Sequence, residues 1–326
     1  MAVHDQVYSY LSDNDLLHPY HHGFLKHHST ATALQQLVDL WLRAADSGKL
    51  SASILLDLSA GFDVVNHSIL LAKLNEYGFD ETSLGWFESY LHDRVQCVQV
   101  ESSFSPMLKV PWGVPQGSIL GPLLFIIFIN ELPEVVKPDN EPEDGAVAVE
   151  TEHDDASIVV YADDNTPTIA AKDPGVLIDN VQALGTRVTT WFGKNDMVVS
   201  GEKTKLLLSG TYQNRRLKIE NNENFHPEIN IDGKEILPSR SEKLLGVIVN
   251  DTLTWKNHFY GDEENTGLFN DLSKRAGLLR HLRKYLPNGK FKQAISGIFT
   301  SKLIYCITLW TGIWDIPGQL DDGNKL

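Results

Sequence analysis

Only two cysteines, Cys97 and Cys306, occur in 326 residues. Neither belongs to a Cys-x-x-Cys pair or a Cys/His finger, so no disulfide framework and no structural zinc are expected. A reducing compartment follows, cytoplasmic or nuclear and not secreted. Long hydrophobic runs are missing as well. The most apolar stretch, SILGPLLFIIFIN (118–130), is interrupted by Gly121 and Pro122. It falls short of the ~20 residues a membrane span requires, so it reads as a buried helix and no membrane partner is expected. The N-terminus is polar from the start, without a secretory or transit signal. There is no GxxxxGK[ST] phosphate loop and no internal repeat. Positive charge is scarce: 28 Lys and Arg stand against 43 Asp and Glu, a net charge of −15. Such a balance argues against a general nucleic-acid binder.

The charge is unevenly placed. Residues 134–155, EVVKPDNEPEDGAVAVETEHDD, are densely acidic, with Lys137 the only Lys or Arg. They lack periodicity and contain prolines, which predicts a flexible insertion over 134–156. Residues 274–302 hold Lys274, Arg275, Arg280, Arg283, Lys284, Lys290, Lys292 and Lys302 and no acid. A basic helical region therefore follows an acidic body. Elsewhere the spacing predicts a helix over 31–48 and a buried strand over 51–58. A helix at 68–77 would have Ser68 as N-cap and Gly78 just past its end, and another follows at 81–91. RVQCVQV (94–100) alternates like a strand. A helix is expected at 175–195, a strand at 204–210, a polar loop at 211–228, an extended pair at 242–255, and helices over 264–315. This order is α+β.

Two expected strand ends carry carboxylates, Asp57 after SILL and the adjacent Asp163 and Asp164 after IVVY. Neighbouring carboxylates repel, so something must offset their cost: a cation, a tight turn or plain exposure. If the strands lie side by side, three carboxylates converge. Mg²⁺ takes hard oxygen ligands, commonly one or two carboxylates with water and phosphate oxygens completing its shell. Two such ions ~4 Å apart can activate a hydroxyl and stabilise a leaving pyrophosphate. A lone Asp at a strand end is more often a turn or cap residue.

Five blocks occur in order: LLDLSAGFDVVNH, GVPQGSILGPLLFIIFINELP, VVYADDNT, WFGKNDMVVSGEKTKLLLSG and LLGVIVNDTLTWKNH. Together they closely resemble the reverse transcriptases of non-LTR (LINE-type, jockey-like) retrotransposons, over roughly residues 5–312. The resemblance implies a right-hand polymerase fold of fingers, palm and thumb with a ferredoxin/RRM-like palm. Its divisions would be partial fingers at 1–50, palm with fingers-side elements at 51–133, the acidic insertion at 134–156, palm and primer-grip hairpin at 157–262, and partial thumb at 263–326. It implies an RNA-directed DNA polymerase using two Mg²⁺ ions, or Mn²⁺, with an RNA template, a DNA primer and deoxynucleoside triphosphates. By matching position, Asp57, Asp163 and Asp164 would be the metal-binding carboxylates and Lys203 in GEKTK the general acid to pyrophosphate. Phe62 would be the steric gate against a 2′-hydroxyl, with Leu58, Gln116 and Gly117 beside the incoming nucleotide and template. Lys243, Leu245 and Gly246 fall in the primer-grip segment. Arg275, Arg280, Arg283 and Lys284 would meet duplex phosphates. Simpler readings stand beside these: Phe62 as core, Lys203 as a surface lysine, GVPQGS as a turn. HPYHHGFLKHHST (18–30), with five histidines, tempts a metal-site reading, but its GF-x-K-x-x-ST wording resembles the family's segment just before the palm.

The chain also departs from the family pattern. A basic fingers block carrying an Arg-Pro-Ile-Ser-like stretch, an endonuclease domain and a C-terminal Cys/His knuckle have no counterpart. Ser200 stands where relatives carry asparagine. The expectation is a chain truncated at both ends, either an active polymerase or a catalytically inactive remnant that at most binds nucleic acid.

Overall fold

The computed structural model describes residues 2–137, 156–222, 225 and 227–311. Its centre is a five-stranded sheet built from β1 (Leu50–Leu55) and four later strands. Between β1 and those strands come α3 (His67–Glu76) and α4 (Glu81–Leu91), preceded in the chain by α1 (Ala2–Asp13) and α2 (Thr30–Asp46). Two exposed ribbons follow, in which β2 (Val95–Gln96) pairs with β5 (Leu108–Lys109) and β3 (Gln99–Val100) with β4 (Ser103–Phe104). The single strand expected over 94–100 is thus two fragments, both exposed, because the ribbon has no second layer to cover its apolar side chains.

Next come α5 (Gly121–Ile129), α6 (Leu132–Val136), β6 (Ser157–Tyr161), β7 (Asp164–Ala171), α7 (Pro174–Lys194) and β8 (Lys205–Ser209). A short helix, α8 (Tyr212–Arg215), runs into a π-helical turn at Arg216–Glu220, where only a loop was expected. The ribbon of β9 (Ile229–Ile231) and β10 (Lys234–Ile236) leads to β11 (Pro238–Ser239) and the hairpin β12 (Ser241–Leu244) and β13 (Val247–Asn250). Helices α9 (Lys256–Tyr260), α10 (Leu268–Leu282), α11 (Asn288–Ile295), α12 (Ser301–Ile304) and α13 (Thr308–Thr311) complete the described chain. None of the described helices is long and apolar enough to cross a membrane. The expected insertion lies mostly outside the described residues; its first residues, Glu134–Val136, belong to α6.

The sheet order is β11-β8-β1-β7-β6, antiparallel except for the β8–β11 pair. Strand alternation divides β1 between two cores. Leu50, Ala52, Ile54 and Leu56 face α3, α5 and α7, whereas Leu55 packs with Leu34, Leu37 and Trp41 of α2. Helix α5 is apolar on every side and buried except at Pro122, as its sequence predicts. Helix α7 begins at Asp173, which caps Val176, with Pro174 at the first position, and it buries Leu177, Val181, Leu184, Val188 and Phe192 at helical spacing. Asn66, not Ser68, caps α3: its side chain accepts from the amides of Ser68 and Ile69. At the second core, Trp41 donates to Ser53, which bonds Thr168, each at 2.8 Å.

Candidate active site

The paired aspartates form the bend of a β-hairpin. Tyr161 pairs with Asp164, leaving Ala162 and Asp163 as a two-residue turn in which Ala162 has φ +57°. An alanine in this region costs roughly 1 kcal/mol, so the turn is held from outside. Asn165, buried beneath it, donates its side-chain amide to the Asp163 carbonyl at 2.9 Å. On the outer edge of β6, His22 N–H donates to the Val160 carbonyl at 2.8 Å and Val160 N–H to the Tyr20 carbonyl at 3.0 Å.

Asp57 arrives from β1, which pairs with β7, the strand after the aspartates, and not with β6 before them. Leu56 N–H donates to the Asn165 carbonyl at 3.0 Å, and one further step in that register sets Asp57 level with Asp164. On its other side the Asp57 carbonyl accepts from Ser200 N–H at 2.9 Å. That contact uses only the backbone, so a serine at 200 serves it. The same loop turns on the Ser200 carbonyl, which accepts from the amides of Lys203 and Thr204, and delivers Lys203 Nζ to 3.5 Å from Asp57 Oδ1. Both side chains are solvent-exposed, so the pair adds little stability; it places a cation at the carboxylates.

The electrostatics show that the three carboxylates share one field. Asp164 is accessible at its surface but stands on the packed sheet; this partial burial, then the charges of Asp163 and Asp57, push its carboxyl up to about 6. Among the described residues no three His, Cys, Asp or Glu side chains are gathered closely enough to hold a metal by themselves. The donors nonetheless fit a hard divalent cation: all are carboxylate oxygens, mutually repelling and accessible, which suits an ion whose remaining ligands are water and phosphate oxygens.

Residues 2–249 match the family model for reverse transcriptase (RNA-dependent DNA polymerase). The chain belongs to that family. Over 236 residues, 72% of the chain, it is 26% identical to the RNA-directed DNA polymerase from mobile element jockey and 27% identical to the probable RNA-directed DNA polymerase from transposon X-element, both of Drosophila melanogaster. It covers only 24% and 23% of those two proteins, about a quarter of their length. The expected resemblance to jockey-like elements is thus borne out. Telomerase from Candida tropicalis in complex with a TWJ fragment of telomeric RNA superposes with a TM-score of 0.50 over 96% of this chain and 46% of that one, at 13% identity. The shared property is a reverse transcriptase/telomerase-like polymerase fold of mixed helices and sheets.

Within this reverse transcriptase fold the remaining expected residues separate. Phe62 is partly buried, stacked on Phe125 with centroids 4.2 Å apart and met edge-on by Phe24 at 6.1 Å. Gln116 donates to Asp63 Oδ1 at 2.9 Å, and Val114 N–H bonds the Phe62 carbonyl, so the GVPQGS segment runs beside the turn that carries Phe62. Gly117 has φ +79° with open space about its α-carbon, so backbone conformation and not crowding selects glycine there. The Leu58 side chain is buried in the first core, which leaves only its backbone to face a substrate.

The β12–β13 turn places Leu245 at φ +46° and Gly246 at φ +83°, two positive values as a type I′ turn demands. Lys243 is exposed, and Leu244 and Leu245 reach the second core beside Tyr161. Arg280 and Lys284 are exposed, and Arg283 donates to Asn288 Oδ1 at 2.6 Å and lies 4.9 Å over the Phe291 ring. Arg275 pairs with Asp271 at 3.1 Å and donates to the Ile298 carbonyl at 2.8 Å, so it ties α10 to the segment after α11.

Sequence reasoning marked residues 18–30 as a family segment but did not anticipate that Tyr20–Phe24 straps the outer edge of β6. Its histidines serve structure: His22 contacts Thr32 Oγ1 at 2.9 Å and Gln36 Oε1 at 2.5 Å, and His21 is buried. The GF-x-K-x-x-ST wording marked the segment, but no periodicity shows which strand it lies against.

Proposed function

We propose that the chain is the polymerase core of an RNA-directed DNA polymerase from a jockey-like mobile element, extending a DNA primer on an RNA template with deoxynucleoside triphosphates. What supports this reading is the strand register that sets Asp57 level with Asp164, next to Asp163, with Lys203 3.5 Å from Asp57. The five-stranded sheet would be the palm, β12–β13 the primer grip, and α10 to α13 the base of a thumb. Enzymes of this family use divalent metal ions, and these three aspartates would hold two Mg²⁺ ions. When bound, the ions would supply Lewis-acid activation of a primer hydroxyl and charge neutralisation at the phosphates.

The chain's own residues supply the rest. Asp164 would serve as an oxygen ligand in its ionised form. Lys203 would stand with its ammonium toward the leaving pyrophosphate, donating a proton as negative charge develops. The exposed part of Phe62 would lie under the sugar, held flat by Phe125 and unable to retreat from a 2′-hydroxyl. Arg280 and Lys284 would meet backbone phosphates, local positive charge on an acidic protein.

Primer extension by the purified chain on an RNA template, with Mg²⁺ or Mn²⁺, tests the reading beside an Asp163→Ala/Asp164→Ala double variant. Extension that the double variant abolishes supports it. No extension, with duplex binding retained, assigns the chain instead as a non-catalytic remnant that binds nucleic acid.

A further inference from the structure

The strap Tyr20–Phe24 approaches the aspartate turn more closely than any side chain would allow. A β-carbon placed on Gly23 would lie 2.6 Å from the backbone nitrogen of Ala162 and 3.3 Å from the Tyr161 carbonyl carbon. Both atoms are backbone, so neither can swing aside as a side-chain end would. The strap is itself fixed from behind. His22 is moored to α2 through Thr32 and Gln36, and two backbone hydrogen bonds join the strap to Val160. One residue on, Phe24 has φ +58° and meets Phe62 edge-on. A left-handed phenylalanine is uncommon and needs its surroundings to hold it there.

We propose that Gly23 is a positioning residue, through which the strap presses the Ala162–Asp163 turn into the one conformation that aims Asp163 and Asp164 together. The bare α-carbon lets the strap bear directly on the turn backbone. That contact compensates for the left-handed strain at Ala162, which the hairpin alone would relax. Phe24 extends the same strap to Phe62, so one element indexes the carboxylates and the aromatic wall to each other. The part concerning cation binding rests on the function proposed above; the part concerning the turn does not.

Two readouts separate these parts. In metal-free protein, amide hydrogen exchange reports the hairpin directly. Gly23→Ala is expected to speed exchange at residues 160–164 while leaving β1 and α7 protected. Titration with Mn²⁺, followed by electron paramagnetic resonance, is expected to show affinity weakened about tenfold or more, as for loss of an outer partner of a metal ligand. Gly185→Ala is the control. It crowds Ile231 and Ile54 in the core beneath the sheet. It should lower the melting temperature without altering hairpin exchange or Mn²⁺ affinity. Should Gly23→Ala not fold, Gln36→Leu loosens His22 without adding bulk near the turn and is expected to shift both readouts in the same direction. Unchanged exchange at 160–164, or an equal loss of Mn²⁺ affinity in Gly185→Ala, overturns the proposal. If wild-type chain and the Asp163→Ala/Asp164→Ala variant bind Mn²⁺ alike, the metal reading fails, and the exchange result still decides the role of Gly23.

Discussion

Tyr305 Oη donates to the Leu245 carbonyl at 2.6 Å, joining residues 60 positions apart and locking the β12–β13 turn to the C-terminal helices. The ring of Tyr305 also lies 3.4 Å from where a β-carbon on Gly246 would stand. Tyr305→Phe removes one hydrogen bond and should cost about 1 kcal/mol in urea unfolding. Gly246→Ala should cost more, because its φ of +83° disfavours any side chain as well as crowding the ring. If Lys243 meets a primer strand, both changes should also raise the KM for primer–template more than they lower kcat.

Asp164→Asn should separate stability from activity. Its folded pKa, about 6, lies above the ordinary aspartate value, so the folded chain holds this proton more tightly than the unfolded one. The resulting stability is fully present at acid pH and is lost as pH rises from the unfolded value through about 6. In metal-free protein at neutral pH the amide should therefore stabilise, seen as a raised denaturation midpoint. Primer extension should fall by about a hundredfold or more, the scale of losing a group that organises charge at the reacting centre.

Two histidines carry the opposite sign. Burial, then the charge of His18, lowers His21 to about 3, and burial, then Lys302, lowers His258 to about 4. Both remain neutral when folded at pH values where the unfolded chain takes up protons, so stability is lost as pH falls below ~6.5. His258 Nδ1 accepts the Ile248 amide at 3.3 Å, a contact that protonation removes. His258→Asn should flatten the acid side of a stability–pH profile measured by urea midpoints.

The basic helices should divide by role. Arg275→Ala breaks the tie between α10 and the Ile298 carbonyl and should cost about 1–2 kcal/mol, read from thermal unfolding. Arg280→Ala and Lys284→Ala should leave the melting temperature nearly unchanged. Each should weaken binding to an RNA–DNA duplex and reduce the salt dependence of log K by about one unit.

Ser53→Ala probes the second core. It leaves the buried Trp41 indole N–H and the Thr168 hydroxyl without their shared partner. A cost of about 1–3 kcal/mol in urea denaturation is expected.

Much of this architecture was legible because local rules govern it. The bounds of α4 and α7 follow from Asp80, Asp173 and Pro174, whose capping chemistry acts within one turn. At α3 the rule was right and the residue wrong: Asn66 and Ser68 are both capping types, and only geometry decides which reaches the free amides. The three aspartates were singled out through block order, since no local signal distinguishes a candidate ligand from a turn residue. That β7 lies between β1 and β6 is a long-range pairing that strand patterns cannot express. The tie from Arg275 to Ile298 was not legible because its partner carbonyl lies 23 residues ahead, on a segment whose packing the charge pattern does not encode.

The strap and β11 together have a consequence for solubility. An open sheet ordinarily ends in two rows of unpaired amides and carbonyls that invite strands from other molecules. Here the β6 edge is occupied by Tyr20–His22, and the opposite edge ends in β11, two residues long and opening on Pro238, which has no amide to donate. Both features disfavour edge-to-edge growth. Among the described residues, the sheet that carries the aspartates is covered at one margin and shortened at the other.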